Sequence, residues 1–288
     1  MLKRWKLDVF LPGSLIFIVA QALTFYIAFQ AKAFVEENQI TSPQAPLGLG
    51  LVYFFGVVVL LGIVLFFIPV SKLRLILKLM FAFLYAWGTL IMFGLVAPFV
   101  LAAVIAAAGG TAWFLTPRVW LHNTLMIFAL VSAGAVFGFM FTPWTVIALM
   151  FVLSVYDILA VRFGYMIWMA KRLSESNTLP AFIIPKGFSS WNLDLKRGGF
   201  TSLMEGTSAE REFSILGGGD IGLPLLLIVS VFFTYGFTSA LMVGVFALGG
   251  LISAYWIQLA VLKGKPLPAL PPLSIASLIG FLIAQVLI

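Results

Sequence analysis

Long apolar runs, each interrupted by a few polar or turn-forming residues, cover most of the chain. Runs near twenty residues, enough for a helix to cross ~30 Å of hydrocarbon, fall at 11–31, 48–71, 76–95, 98–116, 120–141, 144–170, 216–235, 237–262 and 270–288. They predict nine transmembrane helices in an all-α integral membrane protein. Ala97-Pro98 is the expected turn between the third and fourth runs, and Gly236 alone divides the seventh from the eighth. The rhythm breaks at residues 171–215, which hold five of the 10 acidic residues together with Pro180, Pro185, Gly187 and Gly198-Gly199. Such a composition reads as a cytoplasmic loop of low order, too short for a domain of its own. Residues 1–288 therefore read as a single membrane domain, with spans one to six in 1–170 and spans seven to nine in 216–288. No internal repeat is visible.

Composition sharpens this picture. With 62% hydrophobic and 9% charged residues and a mean hydropathy of +1.15, no water-soluble fold hides enough of the chain. Lys3, Arg4 and Lys6 before an apolar stretch imitate a cleaved signal peptide, but the stretch runs on to Phe29, longer than such a segment needs; it is taken as the first span. The absence of cysteine and the single histidine exclude disulfide frameworks and Cys/His metal centres, and nothing points to a cofactor.

A net charge of +7 would suit a nucleic-acid partner, yet the basic residues lie in short segments between apolar runs and form no folded basic face. Membrane orientation explains them better. If the N-terminus is cytoplasmic and the C-terminus outside, all 17 lysines and arginines fall inside except Lys32 and Arg162. Arg162 lies toward the inner end of span six, where its stem reaches the interface.

Of the acidic residues, only Asp157 and Asp220 fall within spans. A carboxylate at the bilayer centre costs ~2.5–3.5 kcal/mol on insertion scales, so function is the default reading. Asp157 sits about halfway along span six. Asp220 follows Arg211 by nine residues, ~13 Å along a helix, so both acids reach one depth in the inner half of the membrane. Ser154, Ala160 and Gly164 are spaced to share the helical face of Asp157 and to admit a neighbouring backbone. Gly217, Gly218 and Gly219 loosen the helix start before Asp220. Pro224 has no N–H to offer the carbonyl of Asp220, four residues earlier. The segment "KPLPALPPL", Lys265 to Leu273, keeps extended backbone before the last span, tolerated at membrane depth only where it lines a cavity or is buried in protein.

These features leave several readings open: a pair of structural acids, a proton-coupled transporter or channel, or a hydrolase. His122, beside Asn123 at the inner end of span five, reads as interfacial, which argues against a serine protease of the membrane. Glu36-Glu37 lacks the histidines that membrane glutamate proteases use.

Taken together, the three stretches resemble the presenilin and signal peptide peptidase family of intramembrane aspartyl proteases, on the side of its microbial presenilin homologues. Its Tyr-Asp in span six corresponds to Tyr156-Asp157, its Gly-x-Gly-Asp in span seven to Gly217-Gly218-Gly219-Asp220, and its Pro-Ala-Leu before span nine to Pro268-Ala269-Leu270. The resemblance implies that Asp157 and Asp220 are the catalytic pair and that the Pro-Ala-Leu segment supports them. It implies that transmembrane helices of other proteins are the substrates, without cofactor or metal. Two close carboxylates sharing one proton would act as general base and acid on water and the scissile carbonyl. The cytoplasmic N-terminus resembles presenilin rather than signal peptide peptidase. Gly218 departs from the family, where a larger residue is common. The plasma membrane is the expected location for a microbial chain; homo-oligomers stay open, and nothing in the sequence requires accessory subunits.

Overall fold

Each interruption in the apolar pattern ends a helix. Pro98 precedes one helix as its N-cap; Thr142 caps another, its side chain accepting from Thr145 N–H with Pro143 in the first turn. Gly236, at φ 86°, is the only residue between two further helices, a backbone angle that glycine adopts at little cost.

A computed structural model describes residues 2–42, 67–68, 70–165, 178–195, 213–262 and 267–287, with isolated positions within 52–64 and 168–173. The elements are α1 (Leu2–Glu37), α2 (Val70–Gly94), α3 (Phe99–Leu115), α4 (Val119–Met140), α5 (Pro143–Arg162), β1 (Ala181–Pro185), β2 (Phe213–Gly217), α6 (Gly218–Tyr235), α7 (Phe237–Ala260) and α8 (Leu270–Leu287). Among the described residues, seven helices are long and apolar enough to cross a membrane, while α3 is apolar but shorter. The expected span at 48–71 lies largely outside the described residues.

α6 is the centre of the bundle. It touches α1, α4, α5, α7 and α8, and every residue from Pro224 to Phe232 is buried, as expected of a helix apolar all round. In lipid, helices gain no hydrophobic drive toward one another, so close backbone approach matters more. α4 supplies it with Gly134 and Gly138, one turn apart: a Cβ on Gly138 would lie 2.6 Å from the Cβ of Val229. α1 packs against α4, α6 and α7 and buries Phe17, Ala20, Ile27 and Ala28 completely.

Three expectations need correction. The sixth span does not continue to residue 170 as one helix: α5 stops at Arg162, and Gly164 takes φ 72°, a left-handed residue that closes a helix. Gly164 is therefore a terminator and not part of the small-residue face of Asp157. The seventh span opens as a strand, since Leu216 and Gly217 belong to β2.

The loop expected to be of low order is also structured where it is described. β1 and β2 pair antiparallel, with Ala181 opposite Gly217 and Pro185 opposite Phe213. Every β1 residue is buried, because Phe182 and Ile184 join the main core while Ala181 and Ile183 join a second cluster with Leu73, Leu77 and Val119. The start of α4 anchors the same segment. Val119 N–H donates to Leu193 O at 3.2 Å, Leu195 N–H to Pro117 O at 2.9 Å, and Arg118 Nη1 to Asn192 Oδ1 at 3.0 Å.

Candidate active site

Asp220 stands in the first turn of α6, immediately after the strand. Gly217 is the N-cap residue, and the carboxylate reaches back to its N–H, half of the reciprocal arrangement found at helix starts. The triple glycine works unevenly. A Cβ on Gly217 would press on Asp220 Oδ2 at 2.9 Å; one on Gly219 would meet nothing. At Gly218, where a larger residue was noted as common in the family, a Cβ would collide with Met126 Cε and lie 3.1 Å from Pro180 O. Gly218 N–H donates to that same oxygen at 3.1 Å, extending the strand pairing by one residue into the helix.

Asp157 lies on the last turns of α5, partly buried. Its Oδ2 accepts from Leu270 N–H at 3.2 Å, so the Pro-Ala-Leu segment meets this acid directly. The prolines explain why. Of the first four residues of α8, Pro271 and Pro272 have no N–H, Leu273 N–H bonds Ala269 O at 3.4 Å, and Leu270 N–H is the donor left for the carboxylate. One turn away Ser154 Oγ and Ser274 Oγ stand 2.8 Å apart, and Ser154 also donates to Met150 O at 2.7 Å. The pairs 154–274 and 157–270 run in opposite directions along α5 and α8, an antiparallel seam that sets Asp157 against the helix start.

Asp157 and Asp220 come near enough to feel one another's charge. Both meet a helix N-terminus, where unpaired N–H groups complement a carboxylate. Among the described residues no cluster of three or more His, Cys, Asp or Glu side chains stands ready for a metal.

Tyr156, expected as active-site support, lies within electrostatic reach of Asp157 and also meets Tyr165. It is 41% exposed, its ring faces Tyr165 at 6.4 Å and 77°, and its hydroxyl bonds that of Tyr165. Pro268 and Ala269 are partly buried ahead of Leu270.

The reading of His122 as interfacial is overturned. It is 0% exposed, with Trp113 Nε1 3.2 Å and Tyr85 Oη 3.1 Å from Nδ1 and Ala181 O 3.0 Å from Nε2. Charge counting had no means of placing it, because the strand it contacts lies 59 residues away. Tyr255 on α7 was also missed: its hydroxyl fills the space above Gly13 and lies within electrostatic reach of Asp220.

Two acids thus stand where broken helices meet a short sheet, inside a multi-pass bundle of apolar helices. The family model for signal-peptide peptidase and presenilin aspartyl proteases matches residues 14–288. The chain belongs to this family of intramembrane aspartyl proteases, which act on transmembrane substrates. It is similar to two crystal structures of a presenilin family intramembrane aspartate protease. The first is 21% identical, with a TM-score of 0.62 over 97% of this chain and 99% of that one. The second is 20% identical, with a TM-score of 0.55 over 93% and 97%. At such identities the likeness is one of fold. No curated protein matches the chain.

Proposed function

We propose that the chain hydrolyses peptide bonds within or near transmembrane helices, with Asp157 and Asp220 as its catalytic pair. The observation that carries this is that the two acids each stand at a helix start, beside Gly217 and Leu270, within electrostatic reach of one another. Two carboxylates brought together around one water share a proton. The ionised member takes a proton from water as it attacks, and the neutral one protonates the peptide carbonyl. Pro268 and Ala269 support the acids by holding Leu270 in place. No covalent intermediate forms.

A helical substrate has its carbonyls tied up, so it unwinds before attack. β2 offers the extended segment a partner. Asn123 bonds both the N–H and the C=O of Ile183, so these groups face away from β2. By the antiparallel register the N–H and C=O of Ile215, opposite Ile183, face away from β1 along the outer edge. A substrate strand added there would lead to Asp220. Nine spans, a cytoplasmic N-terminus and an external C-terminus fit the charge asymmetry of the sequence, and the plasma membrane fits a microbial chain.

The test uses the purified full chain in liposomes with a defined transmembrane peptide. Cleavage is expected, lost on Asp157→Ala or Asp220→Ala and blocked by a peptide mimic carrying a hydroxyl at the scissile position. Retained cleavage in either variant overturns the assignment. Equal cleavage of a substrate crosslinked against unwinding removes the strand-addition step.

A further inference from the structure

We infer that His122 and Asn123 are positioning residues for Asp220, acting through the far edge of β1; the inference rests on the protease reading above. The two neighbours project from the first turns of α4 and treat β1 as a further strand would. His122 bonds Ala181 O, and Asn123 Nδ2 donates to Ile183 O at 2.7 Å while its Oδ1 accepts from Ile183 N–H at 3.0 Å. The side-chain amide thus reproduces one rung of a sheet.

The histidine's proton is fixed by its partners. Trp113 Nε1 only donates, so Nδ1 is the acceptor, and Nε2 carries the hydrogen that goes to Ala181 O. Both side chains are almost wholly buried, so an unmade bond there is not replaced by water. One turn further on, Met126 sets its methyl against Gly218, and its sulfur lies 3.7 Å from Tyr85 Oη.

The consequence for the site follows from the register. Ala181, held by His122, is the residue opposite Gly217, and Pro180, one step before it, accepts from Gly218 N–H. Gly217 in turn lies against the Asp220 carboxylate, where a Cβ would stand 2.9 Å from Oδ2. The clamp on β1 therefore determines where β2 stops and α6 starts. It determines which rung of the outer β2 edge stands beside the acid. A slip by one residue would turn every side chain of the strand to the other face; the clamp forbids it.

The experiment compares full-length variants in the same liposomes, with products identified by mass spectrometry and rates expressed per folded molecule. Asn123→Leu and His122→Phe are expected to lower kcat on the order of tenfold to a hundredfold, to leave KM nearly unchanged, and to spread cleavage over neighbouring bonds. His122→Gln, which can still donate to Ala181 O and accept from Trp113, is expected to restore the single product. If these variants do not fold, Asn123→Ala decides, since it removes both bonds to Ile183 without adding bulk or charge. A single unshifted product at unaltered kcat in a folded variant overturns the inference, as does a His122→Gln enzyme as scattered as His122→Phe. Asp220→Asn in the same assay separates the two claims. Its continued activity ends the protease reading, whereas its silence beside unaltered Asn123 variants ends only this one.

Discussion

The two acids are held by regions of opposite character. Asp220 belongs to the most enclosed part of the molecule: α6 is surrounded by five helices, pressed by Gly138 of α4 and continuous with a strand that α4 also grips. Asp157 belongs to α5, which presents Phe151, Val152, Val155, Tyr156, Ile158 and Leu159 on its exposed surface. Its seam with α8 borders an open cavity of about 290 Å³ lined by Trp144, Ile147, Ala148 and Ile275 among others. One carboxylate starts the most enclosed helix; the other sits on a more exposed helix, oriented by one backbone N–H beside a serine pair. The reaction proposed above, which needs two acids side by side, would thus be built from one fixed and one lightly tethered partner.

The largest expected effect separates the two interfaces by volume alone. Gly138→Leu forces a side chain into a gap where even a Cβ would lie 2.6 Å from Val229. It should destabilise by about 1–3 kcal/mol or more and abolish cleavage by shifting α6. Ala148→Leu adds three carbons, against four at Gly138, but into the open α5–α8 cavity, and should leave thermal unfolding within about 1 kcal/mol of the parent. Unfolding scans in detergent, paired with peptide cleavage, read both. Equal losses would mean that the cavity is not available space and that the two interfaces are alike.

The same asymmetry explains what could be read from the sequence. Asp157, Asp220 and the Pro-Ala-Leu segment were legible because each violates a strong rule: charges avoid lipid, and prolines avoid helix interiors. Gly236 and Ala97-Pro98 marked turns for the same reason. The sheet was not legible. "AFIIP" is buried on both faces and shows no alternation, and it lies among charged residues that dominate the composition of 171–215. Its partner strand was split, Phe213 to Ile215 falling to the loop and Leu216-Gly217 to an apolar run that reads as helix. What converts these residues into strands is the edge supplied by His122 and Asn123, about 60 residues earlier in the chain, and no local window contains that information. The end of α5 was missed because Gly164 looked like a packing residue; its positive φ is a property of the fold.

A smaller effect is expected from the tether itself. Ser154→Ala with Ser274→Ala removes the 2.8 Å hydroxyl pair without leaving a buried polar atom unpartnered. The stability change should stay near 0.5–1.5 kcal/mol. Turnover should fall further than stability suggests, because Asp157 then keeps only Leu270 N–H to orient it. A drop in kcat with unchanged unfolding supports light tethering; unchanged turnover would show that the Leu270 contact suffices alone.

The smallest effect concerns Tyr156, adjacent to Asp157 in sequence. Its hydroxyl bonds Tyr165 beyond the end of α5, and its ring packs edge-on against that residue. Tyr156→Phe keeps the ring and removes only a half-exposed hydrogen bond, worth about 0.5–1 kcal/mol at most. Cleavage is expected within roughly twofold of the parent, since RT ln 2 is about 0.4 kcal/mol, and Tyr165→Phe should behave in the same way because the two hydroxyls share one bond. A large loss in Tyr156→Phe beside a normal Tyr165→Phe would mean that the Tyr156 hydroxyl turns toward the acids when substrate is bound. The lightly held side of the site would then rearrange during the reaction while the Asp220 side stays in place.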